Sequence, residues 1–246
     1  MNKPVVVLDP GHGGYDPGAT YNGLKEKELN LHLALQTARR LDGIKTLLTR
    51  ERDIYVSLAD RVALSRRAEP DLYLSLHANA GGGRGFESFI YSGLGAKDPA
   101  VAMQKLIHEK AMEALSRWEI IDRGMKRAAF YVLRQNPYPA VLIESLFLDN
   151  RQEAAIWREP LFVETLAAGL ARGIRASLKL SEEEKPEKSN EISGNEAKTN
   201  LTLNGERQPL YSVQVGAFIY LENARQKLTD VQQAGFNDAY IYQKQF

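Results

Sequence analysis

Cysteine is absent from the 246 residues of this chain. Disulfides are therefore excluded, and so are thiolate metal sites. Any metal must be held by His, Asp and Glu, and only four histidines exist: His12, His32, His77 and His108. An excess of one charge sign is missing too. The formal net charge of +1 offers no field to draw in nucleic acid or an anionic membrane, so neither is expected as a partner. No apolar run reaches the length of a transmembrane helix. The opening Met1-Asn2-Lys3-Pro4 leads straight into Val5 to Leu8, which is too short for a signal-peptide core and is closed by Asp9. Export by the usual signal is therefore not expected, unless the chain is a processed form.

What is present points to a globular domain with something smaller attached: 43% of residues are apolar and 26% charged. Val5-Val6-Val7 is a β-branched run that reads as a buried strand. It gives way to Asp9-Pro10-Gly11-His12-Gly13-Gly14, which holds an imidazole on a tight loop at a strand's carboxyl end. Helical spacing follows from about Lys25 to Leu41, with Glu26 in the first turn, where a helix-capping role is the plain alternative. Further strands are expected at 44–49, at Leu72 to His77, at Phe86 to Tyr91, at Phe130 to Arg134 and at Ala140 to Ile143. Arg123 to Lys126 reads only as an extended lead-in. Helices are expected from Ser57 to Ala68, from Asp98 to Trp118, from Asp149-Asn150 to Trp157, and through Phe162, Leu166, Leu170, Ile174 and Leu178.

Strands alternate with helices, so the expected class is α/β: a mixed, largely parallel sheet with helices on both faces. The expected division is a catalytic domain over 1–180, a flexible acidic linker over 181–209, and a small α+β half-module over 210–246. The linker reading rests on Ser181 to Gln208, which has almost no large apolar residue.

His12, His77 and Glu144 each fall at the end of an expected strand, and would converge if those strands are neighbours. Two histidines and a glutamate are a familiar zinc set that leaves a fourth position for water. Amide hydrolysis also needs a carboxylate off the metal to move protons. The expected ligands of one zinc ion are His12, Glu26 and His77, and the expected base is Glu144.

These residues sit in ordered motifs: Asp9-Pro10-Gly11-His12-Gly13-Gly14, Asp16-Pro17-Gly18-Ala19, Lys25-Glu26-Lys27, Ser75-Leu76-His77-Ala78-Asn79, and Glu144 before Phe147. Over about residues 3 to 180 the chain resembles the zinc-dependent N-acetylmuramoyl-L-alanine amidases of the bacterial cell wall, the amidase-3 family. The resemblance implies zinc on His12, Glu26 and His77, with Glu144 catalytic. It also implies peptidoglycan as partner and cleavage between the lactyl group of muramic acid and L-alanine. Leu146 departs from the pattern, because the family usually has glycine before the phenylalanine. The stretch between Tyr91 and Arg123 is too short for the inhibitory helix insertion of some relatives, so an open site is expected. The tail from Tyr211 to Tyr242 resembles half of a sporulation-related peptidoglycan-binding repeat, the SPOR domain. A half-repeat is expected to stay loosely ordered or to pair with the tail of a second chain. With no export signal in view, the implied enzyme stays in the mother-cell cytoplasm until lysis and acts on the cell wall.

Other polar residues read more plainly. His32 pairs with Glu28 one turn away on a solvated face, and His108 reads as a surface residue. Arg50, Asp53 and Arg61 read as a structural ion-pair cluster in preference to a substrate contact. Glu87 is either an outer partner of a ligand histidine or an exposed residue.

Overall fold

A computed structural model describes residues 3–180, together with 202–203, 206–207, 228–229 and 232. The chain divides into two units, Met1–Glu187 and Lys188–Phe246. In the second unit the described residues hold an antiparallel pair, β9 (Thr202–Leu203) with β10 (Glu206–Arg207). That pair lies within the stretch read as a linker. The half-module reading, including the Tyr211 to Phe218 strand, falls outside the described residues except for helical positions 228, 229 and 232.

The first unit is built on six strands in the order β4-β1-β5-β8-β6-β7. They are β1 (Val5–Pro10), β4 (Lys45–Leu48), β5 (Leu72–Asn79), β6 (Phe86–Tyr91), β7 (Asp122–Ala128) and β8 (Ala140–Phe147). All neighbours run parallel except β6 and β8. The apolar runs explain the centre: β1, β5 and β8 are buried almost throughout, as strands covered on both faces must be. A small antiparallel pair, β2 (Thr20–Tyr21) with β3 (Leu24–Lys25), leads into the first helix.

One face of the sheet is covered by α1 (Glu26–Ala38), α3 (Pro99–Ala114) and α6 (Pro160–Ser177). Val6, Leu8, Leu33, Leu74, Ile107, Ile143, Phe162 and Leu166 belong to that core. The other face carries α2 (Leu58–Ala68) and α4 (Tyr131–Arg134), over Val7, Val62, Tyr73, Val132, Leu133 and Leu142. Ser57 caps α2 by accepting from the Asp60 N–H, and Asn150 caps α5 (Arg151–Ile156) through Gln152 and Glu153.

One expected strand is a helix. Phe130 to Arg134 forms the single turn α4, and the fifth strand is Asp122–Ala128. The physical reason is position. β7 is a sheet edge with alternate residues exposed and charged, so no apolar run marks it, while Val132 and Leu133 are adjacent and both buried, as a helical turn allows.

Candidate active site

Three strand ends bring the site together. Gly11 closes onto β5 by donating its N–H to the Leu76 carbonyl at 3.0 Å. A side chain at position 11 would stand 2.1 to 2.6 Å from the His77 ring atoms, so the missing Cβ is the space in which that imidazole sits. His12 follows with φ +60, a left-handed conformation unusual for a residue with a side chain. Its carbonyl accepts from Arg61 Nη2 at 2.8 Å, and the Gly13 and Asp16 backbones bond each other across the loop.

His12 Nδ1 lies 2.8 Å from Asp16 Oδ2, and Nε2 lies 3.1 Å from Glu26 Oε2. A carboxylate can only accept, so Asp16 keeps a proton on Nδ1 and leaves Nε2 turned toward Glu26. Glu26 is buried at the start of α1. Its Oε2 also accepts from the Ala19 N–H at 2.9 Å. Its Oε1 accepts from His77 Nδ1 at 2.9 Å, Asn30 Nδ2 at 3.2 Å and the Ala78 N–H at 3.3 Å. Glu26 therefore does not cap its own helix. It faces two imidazoles whose rings meet edge to face at 5.1 Å.

One ligand atom each from His12, Glu26 and His77 lies within 4.8 Å of the others, a spacing that could hold a metal ion. The donor set is two imidazoles and one carboxylate, which fits zinc with an open position. Burial opposes charge on Glu26, but the hydrogen bonds of His12 and His77 hold its carboxyl far below the usual range. Burial would depress His77, yet the Glu26 hydrogen bond and the nearby carboxylates lift it to about 9.

Glu144 stands apart from this cluster. It pairs in register with His77 across β5 and β8, and with Glu87 across β8 and β6, so all three project from one side of the sheet. Burial pushes the Glu144 carboxyl up to about 7, with the Glu26 and Glu87 carboxylates adding to the rise and His77 opposing it. A carboxyl poised near neutrality beside a candidate metal site can both take and return a proton.

The remaining polar residues fall into place around the site. Arg61 Nη1 meets the buried Asp9 Oδ1 at 2.6 Å, and Arg50 bonds the carbonyls of Pro10, Gly11 and Lys27. Asp53 takes Lys27 Nζ at 2.6 Å and the Gly14 N–H at 2.7 Å. These residues hold the His12 loop, but not as the expected ion-pair cluster: Arg61 pairs with Asp9, Asp53 with Lys27, and Arg50 bonds backbone carbonyls. Three further readings are corrected. His108 is buried, not on the surface, bonded to Ser88 and to Asp122 at 2.9 Å each. Glu87 is neither exposed nor bonded to a ligand histidine; it holds Asn79, Arg123 and Lys126. His32 bonds Gln36, not Glu28. Asp16 and Asn30 were not singled out as site residues. The four-residue spacing of His12 and Asp16 in a glycine-rich loop is the signal that could have found the first.

Comparison with known proteins bears on the fold and the family. Residues 6–176 match the model of the amidase-3 family, described as N-acetylmuramoyl-L-alanine amidase. The chain is 38% identical over 240 residues to the sporulation-specific N-acetylmuramoyl-L-alanine amidase of Bacillus subtilis strain 168, covering 96% of this chain and 84% of that protein. It is 40% identical over 186 residues to the endolysin of Bacillus phage SPP1, covering 73% of this chain and 68% of that one. Among solved structures, the N-acetylmuramoyl-L-alanine amidase from Clostridium difficile 630 superposes with a TM-score of 0.68 at 30% identity, covering 73% of this chain and 98% of that chain. The arrangement of strands and helices thus has a family to sit in, and this chain belongs to it: the amidase-3 family of N-acetylmuramoyl-L-alanine amidases.

Proposed function

We propose that the chain is a zinc-dependent hydrolase that cleaves the amide between the lactyl group of N-acetylmuramic acid and L-alanine in peptidoglycan. The carrying observation is the convergence of His12, Glu26 and His77 with Glu144 standing in register beside them. A zinc ion on those three side chains would acidify a water and polarise the scissile carbonyl. The protein's own part is proton handling and positioning. Glu144 accepts the proton of the attacking water and delivers it to the departing alanine nitrogen. Asp16 fixes the tautomer of His12, and Asn30 and the Ala19 and Ala78 amides hold the Glu26 carboxylate in place.

In this reading the enzyme works on the cell wall, and the segment from residue 210 serves wall binding, alone or paired with a second copy. The Bacillus subtilis relative matches over 96% of the chain, so the likeness runs past the first unit into this segment.

The test is digestion of purified sacculi with release of stem peptides that begin with a free L-alanine amine. Chelation is expected to abolish release and added zinc to restore it. His12→Ala and His77→Ala are expected to lose the metal. Glu144→Gln is expected to keep metal and fold while turnover falls about a hundredfold or more. Full zinc in either histidine variant, or near-normal turnover in Glu144→Gln, sinks the assignment.

A further inference from the structure

We propose that Arg123 and Lys126 form an anion site beside Glu144 that takes a free carboxylate of the stem peptide; this rests on the amidase reading above. The site is organised by Glu87. That carboxylate is 5% exposed and lies in register opposite Glu144. Its Oε1 accepts from Asn79 Nδ2 at 2.7 Å. Its Oε2 accepts from Arg123 Nε at 2.8 Å and from Lys126 Nζ.

Charge counting makes the cluster more than a neutralised glutamate. One buried anion needs one cation, and here two face it, with an amide as a third donor. The surplus within the cluster is one positive charge, held on β7 and linked toward Glu144 through Glu87 on β6. Both cationic side chains keep roughly a third of their surface open, 32% for Arg123 and 38% for Lys126. Arg123 spends Nε on Glu87 and Nη1 on the Arg84 carbonyl, and none of its described bonds uses Nη2. Its guanidinium lies 4.8 Å over the Phe147 ring, which fixes the plane of the remaining donors. Lys126 spends one bond of three on Glu87.

The backbone is bent to make this happen. Pairing between β6 and β7 jumps from Phe86 with Asp122 to Ser88 with Met125, so β7 bulges opposite Glu87 and turns Arg123 onto it.

The substrate's chemistry says which part fits. The N-acetylated sugars are uncharged, and the lactyl carboxyl is consumed in the scissile amide. The remaining anions are the carboxylates of the peptide. One on the residue after alanine lies about 7 Å further along an extended chain than the cleaved bond, a displacement that the two strands from Glu144 on β8 across Glu87 to Arg123 and Lys126 on β7 can accommodate.

The experiment uses the full-length zinc-loaded chain and two synthetic muramoyl peptides. They differ only in whether the second stem residue carries a free carboxylate or a carboxamide. The expected preference for the carboxylate is about tenfold in kcat/KM, carried by KM and shrinking as salt rises. Arg123→Gln and Lys126→Gln are each expected to bring the ratio toward one, and Lys126→Arg to keep it. Lys105→Gln, on the exposed face of α3, is expected to leave the ratio unchanged. Should Arg123→Gln not fold, the Lys126 pair of variants decides. A wild-type ratio of one, or an undiminished ratio in the glutamine variants, overturns the site while leaving the amidase reading intact. Failure to cut either peptide overturns both.

Discussion

Leu146 has φ +42 and no exposed surface. It is the residue skipped when β5–β8 pairing shifts from Ala78 with Ser145 to Asn79 with Phe147, which makes it the bulged position at the end of β8. A left-handed bulge residue is ordinarily glycine, and a leucine there costs roughly 1–2 kcal/mol of backbone strain. Its side chain offsets this by filling the larger of the two cores. Truncation to alanine is expected to cost about 2–5 kcal/mol, since it empties the site and keeps the strain. Leu146→Gly is expected to be the more stable of the two variants, because it relieves the strain, and thermal midpoints of the pair check the order. The departure from the family pattern was visible in the sequence, but its compensation was not, because burial of position 146 is a property of the packed sheet. The same division runs through the site. His12, Glu26, His77 and Glu144 were legible because each sits in a local motif or at a strand end. Arg123 and Lys126 were not, because their meaning depends on Glu87, which lies far away in the chain and adjacent in the sheet.

Helix α6 packs on α3 through two glycines one turn apart. A methyl at Gly169 would stand 2.7 Å from Ala114 Cβ and 2.8 Å from the Lys110 carbonyl, and one at Gly173 would stand 2.6 Å from Ile107 Cα. Helix propensity alone favours alanine at an interior position by about 1 kcal/mol. Here the near neighbours are backbone and Cβ atoms that cannot swing away, so overpacking of roughly 1–3 kcal/mol outweighs that gain. Gly169→Ala and Gly173→Ala are each expected to lower the midpoint of chemical unfolding, and a rise in either would show that α6 can shift off α3. The helices were readable from their four-residue spacing, whereas this contact was not, since two glycines in a helix look like a weakness until the partner is known. The edge strand β7 was missed for a related reason: Asp122 to Ala128 owes its extended form to hydrogen bonds from β6, not to any pattern of its own.

Folded as a whole, the first unit rests its catalytic end on one buried ion pair. Asp9 receives Arg61 at 2.6 Å, Thr49 Oγ1 at 2.6 Å and Ser75 Oγ at 2.8 Å. Burial opposes its charge, but Arg61 and Thr49 more than compensate, so its carboxyl is held below the ordinary range. A depressed carboxylate stabilises the fold above its unfolded value of about 3.9, and that contribution disappears as pH falls through the folded value. Stability is therefore expected to drop in acid below about pH 4. Asp9→Asn is expected to lose roughly 3–5 kcal/mol at neutral pH by stranding Arg61, and to show a shallower further loss in acid. Urea unfolding at pH 7 and at steps from about pH 4 down to about pH 2 measures both, and an unchanged acid slope in Asp9→Asn would remove Asp9 as its source.

The position of β8 has a consequence for the life of the chain on the ribosome. β5 and β6 are made before it, yet they do not touch as neighbours in the sheet; β8 goes between them. Until residue 147 has been synthesised, the middle of the sheet has no filling, and His77 has no Glu144 beside it. A chain that ends between β5 and β8 has His12, Glu26 and His77 but neither the strand that lies beside β5 nor Glu144. The convergence of the four side chains thus arrives only with the strand that fills the middle of the sheet.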